Sequence, residues 1–269
     1  HPYTLRNARM KISVAQVDAS LALTENRFRW LEAQARQAAD EGADLVVFPE
    51  LYMSGYNVGE ALHQRAETQD GLFAQRAQSI AKNLSIAIVY GYPERDGDTV
   101  YNSAIFIDQH GRPLANHRKT VLPIGNEPDW FATGSGFSIF RFGDATIAMV
   151  ICYECEFPEI VRSVALGGAE VVLVVTAGGK DWEQVSKLVV PSRAYENGIF
   201  MVYANYCGTE NGHGFCGLSC IIDPSGADLA RARKAEGTVS AVLDLGLIAE
   251  ARARVPFLKD QEGVVSKLI

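Results

Sequence analysis

Two periodicities alternate along the first ninety residues. Residues 12–17 (ISVAQV) form a short strand-like run, and residues 26–39 place Phe28, Leu31, Ala35 and Ala38 at helical spacing, with Gly42 as a stop signal. Residues 44–50 (DLVVFPE) read as a second strand ended by Pro49, residues 72–84 as a helix, and residues 86–92 (IAIVYGY) as a third strand. This βαβαβ opening predicts a layered α/β fold. The middle changes to strand pairs: TVYNSAIFID, HGRPLANHRK and FSIFRFGDATIAMVIC, broken at Gly97, His110-Gly111 and Gly143-Asp144. A short helix over 157–166, a buried strand in EVVLVVTAG, a helix over 181–197 and a strand in IFMVYANY follow. FCGLSCIIDPSG and GTVSAVLDL return to β, and residues 250–269 are expected to form an extended arm. No repeat or composition shift marks a second unit, so one domain over 10–269 is expected. Residues 1–9 read as an appended or disordered stretch before a natural start at Met10.

Composition narrows the classes. The 269 residues are 48% hydrophobic and 21% charged, as in water-soluble globular proteins. A chain of this length buries enough apolar surface to need no disulfide or metal staple. The net charge of −7, with no basic stripe interleaved with aromatics, argues against nucleic acid as a partner. The longest clean apolar run, VVLVV, is far too short to span a bilayer, so no membrane partner is expected. The N-terminus lacks the apolar core of a signal peptide. Five scattered cysteines then suggest free thiols in a reducing cytoplasm.

Chemistry gathers where strands end. Glu50 closes DLVVFPE, Lys119 follows LANHR, and Cys152 closes IAMVI. A carboxylate, an ammonium and a thiol brought together at the end of an α/β sheet would supply base, charge stabiliser and nucleophile. Taken singly, each has a plainer reading: a solvated loop acid, a surface cation, a small buried hydrophobe. Cys152 and Cys155 also form a C-x-x-C pair, which could serve metal or redox chemistry, with Cys216, Cys220 or His213 as further ligands.

Three motifs in order, VVFPELYMSGY around Glu50, HRKTVLP around Lys119 and ICYECEFPE around Cys152, resemble the nitrilase, or carbon–nitrogen hydrolase, superfamily. PSRAYENGIF, ANYCG and GLSCIIDPSG support the resemblance, which runs from Met10 to about Leu245. It implies a four-layer α-β-β-α sandwich, Cys152 as nucleophile, Glu50 as general base and then acid, and Lys119 with the backbone N–H of Tyr153 as oxyanion site. Glu127, eight residues after Lys119, would hold the lysine and help position substrate. Tyr153, Glu154, Thr176 and Ala177 are expected around the substrate. No cofactor or metal is implied, and Cys155 becomes a structural thiol.

The implied activity is hydrolysis of a small non-peptide amide through a thioester. Alternatives are an N-carbamoyl (ureido) compound or a nitrile as substrate, or a catalytically inactive binding protein of the same fold. The resemblance also implies a homodimer or larger homo-oligomer through the helix over 159–166. Two departures bear on specificity: Glu154 stands where an aspartate is common, and Glu156 where an arginine is common. Glu156 could face the pocket and favour a cationic amide, or could pair with Arg162 or Arg193.

Overall fold

A computed structural model describes residues 8–21 and 24–267. Most of the stretch before Met10, residues 1–7, lies outside the described residues, while Arg9 already belongs to the first strand. The chain begins β1 (Arg9–Gln16), α1 (Thr24–Asp40), β2 (Leu45–Val47), α2 (Ala61–Arg65), α3 (Leu72–Leu84), β3 (Ala87–Asp96), β4 (Thr99–Ile107) and β5 (Pro113–Arg118). It continues α4 (Glu127–Trp130), β6 (Ile139–Phe142), β7 (Ala145–Ile151), α5 (Pro158–Leu166), β8 (Val171–Val175), α6 (Val190–Asn197) and β9 (Phe200–Ala204). The remainder is β10 (Thr209–Glu210), β11 (His213–Gly214), β12 (Cys220–Ile222), β13 (Asp228–Arg231), β14 (Gly237–Asp244), α7 (Gly246–Arg254) and α8 (Phe257–Val265).

Two six-stranded sheets result, in the orders β14-β1-β2-β3-β4-β5 and β13-β12-β9-β8-β7-β6. Each contains a parallel trio, β1-β2-β3 and β7-β8-β9, extended by antiparallel neighbours. The trios explain the apolar runs, because strands buried on both faces need no polar alternation. Along β7, Ile147, Met149 and Ile151 point into the layer between the sheets, together with Ile12, Val14, Leu45, Val47, Leu173 and Val202. The intervening Ala148 and Val150 pack outward with Val161 and Val164 of α5 and Ala194 of α6. On the first sheet Val46, Phe48, Ile88 and Tyr90 pack outward against Phe28 and Leu31 of α1 and Phe73 and Ala77 of α3. Three apolar layers between four layers of structure make an α-β-β-α sandwich, as the resemblance implied.

Two expectations need correction. The helix expected over 181–197 is a 3-10 turn (Lys180–Trp182), a π turn (Val185–Val189) and then α6. Pro191 explains the break: it has no N–H to donate, and in a regular α-helix its ring would strike the carbonyl four residues back. A π turn widens the chain at that point. The extended arm expected over 250–269 is also helical: α7 and α8 cover 246–254 and 257–265, and residues 268–269 lie outside the described residues. The aromatic rings of Phe257 and Tyr195 lie 5.6 Å apart, and Leu258 packs on the outer core of the second sheet. Pro256 separates the two helices, and their apolar anchors are too few to give a readable period.

Candidate active site

Glu50 is set by backbone, not by helix or strand. The chain turns sharply after β2, with Leu51 at φ 47°. Gly91 of β3 donates its N–H to Pro49 O at 3.0 Å, and Met53 N–H reaches Gly91 O at 3.1 Å. A Cβ at Gly91 would lie 2.3 Å from Leu51 N, so only glycine lets the turn pass this close. The Tyr206 hydroxyl donates to Glu50 O at 2.9 Å. The turn that carries Tyr56 is held by a buried ion pair. Arg27 Nη2 donates to Glu210 Oε1 at 2.8 Å, and Glu210 Oε2 accepts the N–H groups of Tyr56 and Asn57 at 2.9 and 2.6 Å.

Lys119 follows β5, its N–H bonded to Asn102 O of β4 at 2.8 Å. Its side chain is fully buried, and Nζ donates to Glu50 Oε1 at 2.7 Å and to Glu127 Oε1 and Oε2 at 2.9 and 2.8 Å. Two neutral groups complete the cluster. Asn102 Nδ2 donates to Glu50 Oε1 at 2.7 Å and, more weakly, to Glu127 Oε2 at 3.4 Å; the Tyr56 hydroxyl donates to Glu127 Oε1 at 2.8 Å. Glu50 Oε2 is buried and takes no hydrogen bond from the described residues. Sequence reasoning missed Asn102 and Tyr56. The available signal was an asparagine inside a strand, where that residue type is rare.

Cys152 is the first residue after β7, at φ 49°, where the chain enters a 3-10 turn (Cys152–Glu156). A non-glycine residue held in the left-handed region marks a position over-determined by its surroundings. Unlike Glu50 and Lys119, Cys152 is partly exposed. Burial pushes its thiol up, as does the Glu50 charge, while Lys119 pulls it down. Burial likewise raises Glu50 above the ordinary carboxylate range against the pull of Lys119, although the second carboxylate, Glu127, adds to the rise. For Lys119 burial opposes the charge, but Glu50 and Glu127 more than offset it, so the ammonium is held.

Glu154, expected around the substrate, is committed elsewhere. Oε1 accepts Thr120 N–H and Oγ1 at 2.6 and 2.7 Å; Oε2 accepts Ile151 N–H at 2.6 Å and lies 2.8 Å from His117 Nε2. Both oxygens are occupied by protein groups, so the carboxylate braces the Cys152 turn against the segment carrying Lys119. Burial works against its charge, yet these partners hold its carboxyl below the usual range.

The Carbon-nitrogen hydrolase family matches residues 11–253. The chain belongs to that family. A Pseudomonas protegens protein named "Hydrolase in pqqF 5'region" is 41% identical to this hydrolase over 234 residues, 86% of this chain and 81% of the other. An (R)-stereoselective amidase from a Pseudomonas species is 34% identical over 261 residues, 96% and 93% of the two chains. Among solved structures, an amidase from Nesterenkonia sp. superposes with TM-score 0.84 at 31% identity, covering 94% of this chain and 97% of that one. A variant of the Nesterenkonia amidase shows Michael addition of acrylamide at its active-site cysteine. This carbon–nitrogen hydrolase is therefore an enzyme of the class that cleaves non-peptide C–N bonds with a cysteine nucleophile.

Of the remaining expected residues, Thr176 is the one with a hydrogen bond to a member of the cluster. Thr176 follows β8; its carbonyl accepts the Glu50 N–H at 3.4 Å, and its hydroxyl works against the rise of the Cys152 thiol. Ala177 is buried in the outer core of the first sheet, and the Tyr153 ring meets Phe157 edge-on at 4.9 Å. A cavity of about 210 Å³ beside Glu127 is lined by Tyr56, Asn57, Trp130 and His213 among others. Cys155 is fully buried among Val161, Val174 and Tyr203. All five cysteines are free thiols, and among the described residues no group of three or more His, Cys, Asp or Glu side chains is arranged to hold a metal.

Glu156 is half-buried. Arg193 binds backbone near it, Nη2 to Glu156 O at 2.7 Å and Nε to Cys155 O at 3.1 Å, and its ion pair is with Glu196. Among the described residues neither Arg162 nor Arg193 forms an ion pair with the Glu156 carboxylate. Burial pushes that carboxyl up, against the pull of Lys119 and Arg193.

Proposed function

We propose that this hydrolase converts small linear amides to carboxylic acid and ammonia, with Cys152 as nucleophile, Glu50 as general base and Lys119 as oxyanion donor. The observation that carries the reading is the single Nζ shared by Glu50 and Glu127 at 2.7–2.9 Å, with one Glu50 oxygen unclaimed and a partly exposed thiol in the field of all three. The thiol passes its proton to Glu50 Oε2 as sulfur bonds to the carbonyl carbon. The carbonyl electron pair moves to oxygen, met by Lys119 Nζ and the Tyr153 N–H. Collapse breaks the C–N bond, and Glu50 returns the proton to the departing ammonia. Water then attacks the thioester while Glu50 takes its proton; the acid leaves and sulfur is reprotonated. Glu127 anchors Lys119 in both half-reactions, and Glu154 acts through the turn it braces.

An ammonia-release screen over aliphatic amides, amino-acid amides, ureido acids and nitriles tests this. Ammonia from an amide, lost in Cys152→Ala, is the expected result. Preference for a ureido acid or nitrile would replace the substrate assignment, and no ammonia from any class would leave the inactive binding protein. We read residues 10–269 as one domain, acting in a reducing cytoplasm where its five thiols stay free. We also propose a homodimer through α5 and its neighbours, where Leu166 and Tyr195 remain 48% and 44% exposed. Sedimentation of wild type and Leu166→Asp should show a dimer and a monomer; a wild-type monomer would refute it.

A further inference from the structure

Asn102 is the one described residue that bonds to Glu50, Glu127 and Lys119 alike. It sits on β4, paired with Pro93 of β3, and is fully buried. Its carbonyl accepts the Lys119 N–H at 2.8 Å, while Nδ2 donates to Glu50 Oε1 at 2.7 Å and to Glu127 Oε2 at 3.4 Å. The amide orientation follows from chemistry: turned over, Oδ1 would face two carboxylates with no proton between them.

Charge bookkeeping shows what the amide does. Two buried carboxylates face one ammonium, whose Nζ contacts Glu50 once and Glu127 through both oxygens. The uncompensated charge rests on neutral donors: the Tyr56 hydroxyl on Glu127 and Asn102 Nδ2 on Glu50. Two donors converge on Glu50 Oε1 and none of the described residues donates to Oε2. The two oxygens of the base are thereby made unequal.

We infer that Asn102 is a positioning residue for the general base: it pins Glu50 Oε1 against Lys119 and leaves Oε2 as the atom that exchanges the proton with sulfur and leaving group. This rests on the proposed role of Glu50. The titratable groups facing Glu50 are Lys119 after β5, Glu127 on α4, Cys152 after β7, and the hydroxyls of Tyr56 and Tyr206; Glu156 acts on the same Lys119. Asn102 favours the charged form of Glu50. Its removal destabilises the carboxylate, so Glu50 deprotonates only at higher pH.

The test is the pH dependence of Cys152 alkylation by iodoacetamide, with Cys152→Ala as background, alongside kcat and KM on the amide found by the screen. Asn102→Leu removes the donor, and Asn102→Asp replaces it with a third acid of the same size. Both should move the acid limb of alkylation and of kcat/KM to higher pH, Asn102→Asp further. In Asn102→Leu kcat should fall about 10-fold or more, part of the 10²–10⁴ that a positioned general base supplies, with a smaller change in KM. If Asn102→Leu does not fold, Asn102→Ser takes its place with the same readouts. An unshifted acid limb in a folded variant overturns the inference, as does a loss confined to KM. Alkylation needs no substrate, so a wrong amidase assignment shows separately, as missing ammonia with the alkylation shift intact.

Discussion

Glu50 and Glu154 are the same residue type, both fully buried, and their pKa values are displaced in opposite directions, Glu50 up and Glu154 down. Glu154 has every oxygen occupied by donors that touch nothing reactive. Glu50 shares its cation with a second carboxylate and keeps one oxygen unclaimed. Burial alone therefore does not make a base. What separates a catalytic carboxylate from a structural one is an incomplete set of partners: desolvation raises proton affinity only where hydrogen bonds do not cancel it.

The largest effect should come from the Cys152 thiol, which lies in the field of Glu50 and not of Glu154. Cys152→Ala should lower kcat by more than about 10⁴-fold, as loss of a nucleophile does in comparable hydrolases. Cys155→Ala, in the same turn but with its side chain in the outer core, should keep most activity and lose about 1 kcal/mol of stability, the usual cost of a buried truncation. Rates and chemical denaturation measured together separate the two. Loss of Glu50 comes next. Glu50→Gln should lower kcat about 10²–10⁴-fold with the melting temperature nearly unchanged. In wild type the acid limb of kcat/KM should lie above the ordinary carboxylate range, because activity requires the ionised form of a group whose pKa is raised. A limb at an unshifted value would remove Glu50 from the role.

Glu154→Gln should invert that pattern, with a loss of about 1–3 kcal/mol from mispaired buried donors and a smaller fall in kcat. The sign follows from its lowered pKa. Glu154 stabilises the fold above its unfolded value, and that contribution disappears as pH drops through the lower folded value. Denaturation midpoints at neutral and acidic pH should therefore differ less in Glu154→Gln than in wild type. The smallest expected effect is at Glu156. If its half-buried carboxylate reaches the bound substrate, Glu156→Gln should lower the ratio of kcat/KM for an amino-acid amide over an uncharged amide of equal size by a few-fold, the range set by high effective dielectric. A constant ratio would leave Glu156 without a part in selection.

The contrast also shows where sequence reading stops. The parallel trios were legible because VVLVV and its counterparts are apolar on both faces, a pattern that survives without knowledge of their neighbours. Glu50, Lys119 and Cys152 are 69 and 33 positions apart. Only the resemblance joined them, since no local rule links three strand ends. Glu154 is expected around the substrate from the resemblance alone. A 3-10 turn, at three residues per revolution, swings that side chain away from its neighbour. Proximity in the chain could not reveal His117 and Thr120 waiting behind the turn. Asn102 lay hidden within a strand pattern, although a polar residue at a buried register was itself the clue.

The central claim is that an acyl group passes through Cys152. The most direct measurement is mass spectrometry of the hydrolase quenched in acid during turnover of a small amide. The account predicts a mass increment equal to the amide minus ammonia on the peptide containing Cys152, absent in Cys152→Ala. An adduct carried by Cys155, or undiminished ammonia release from Cys152→Ala, would contradict it.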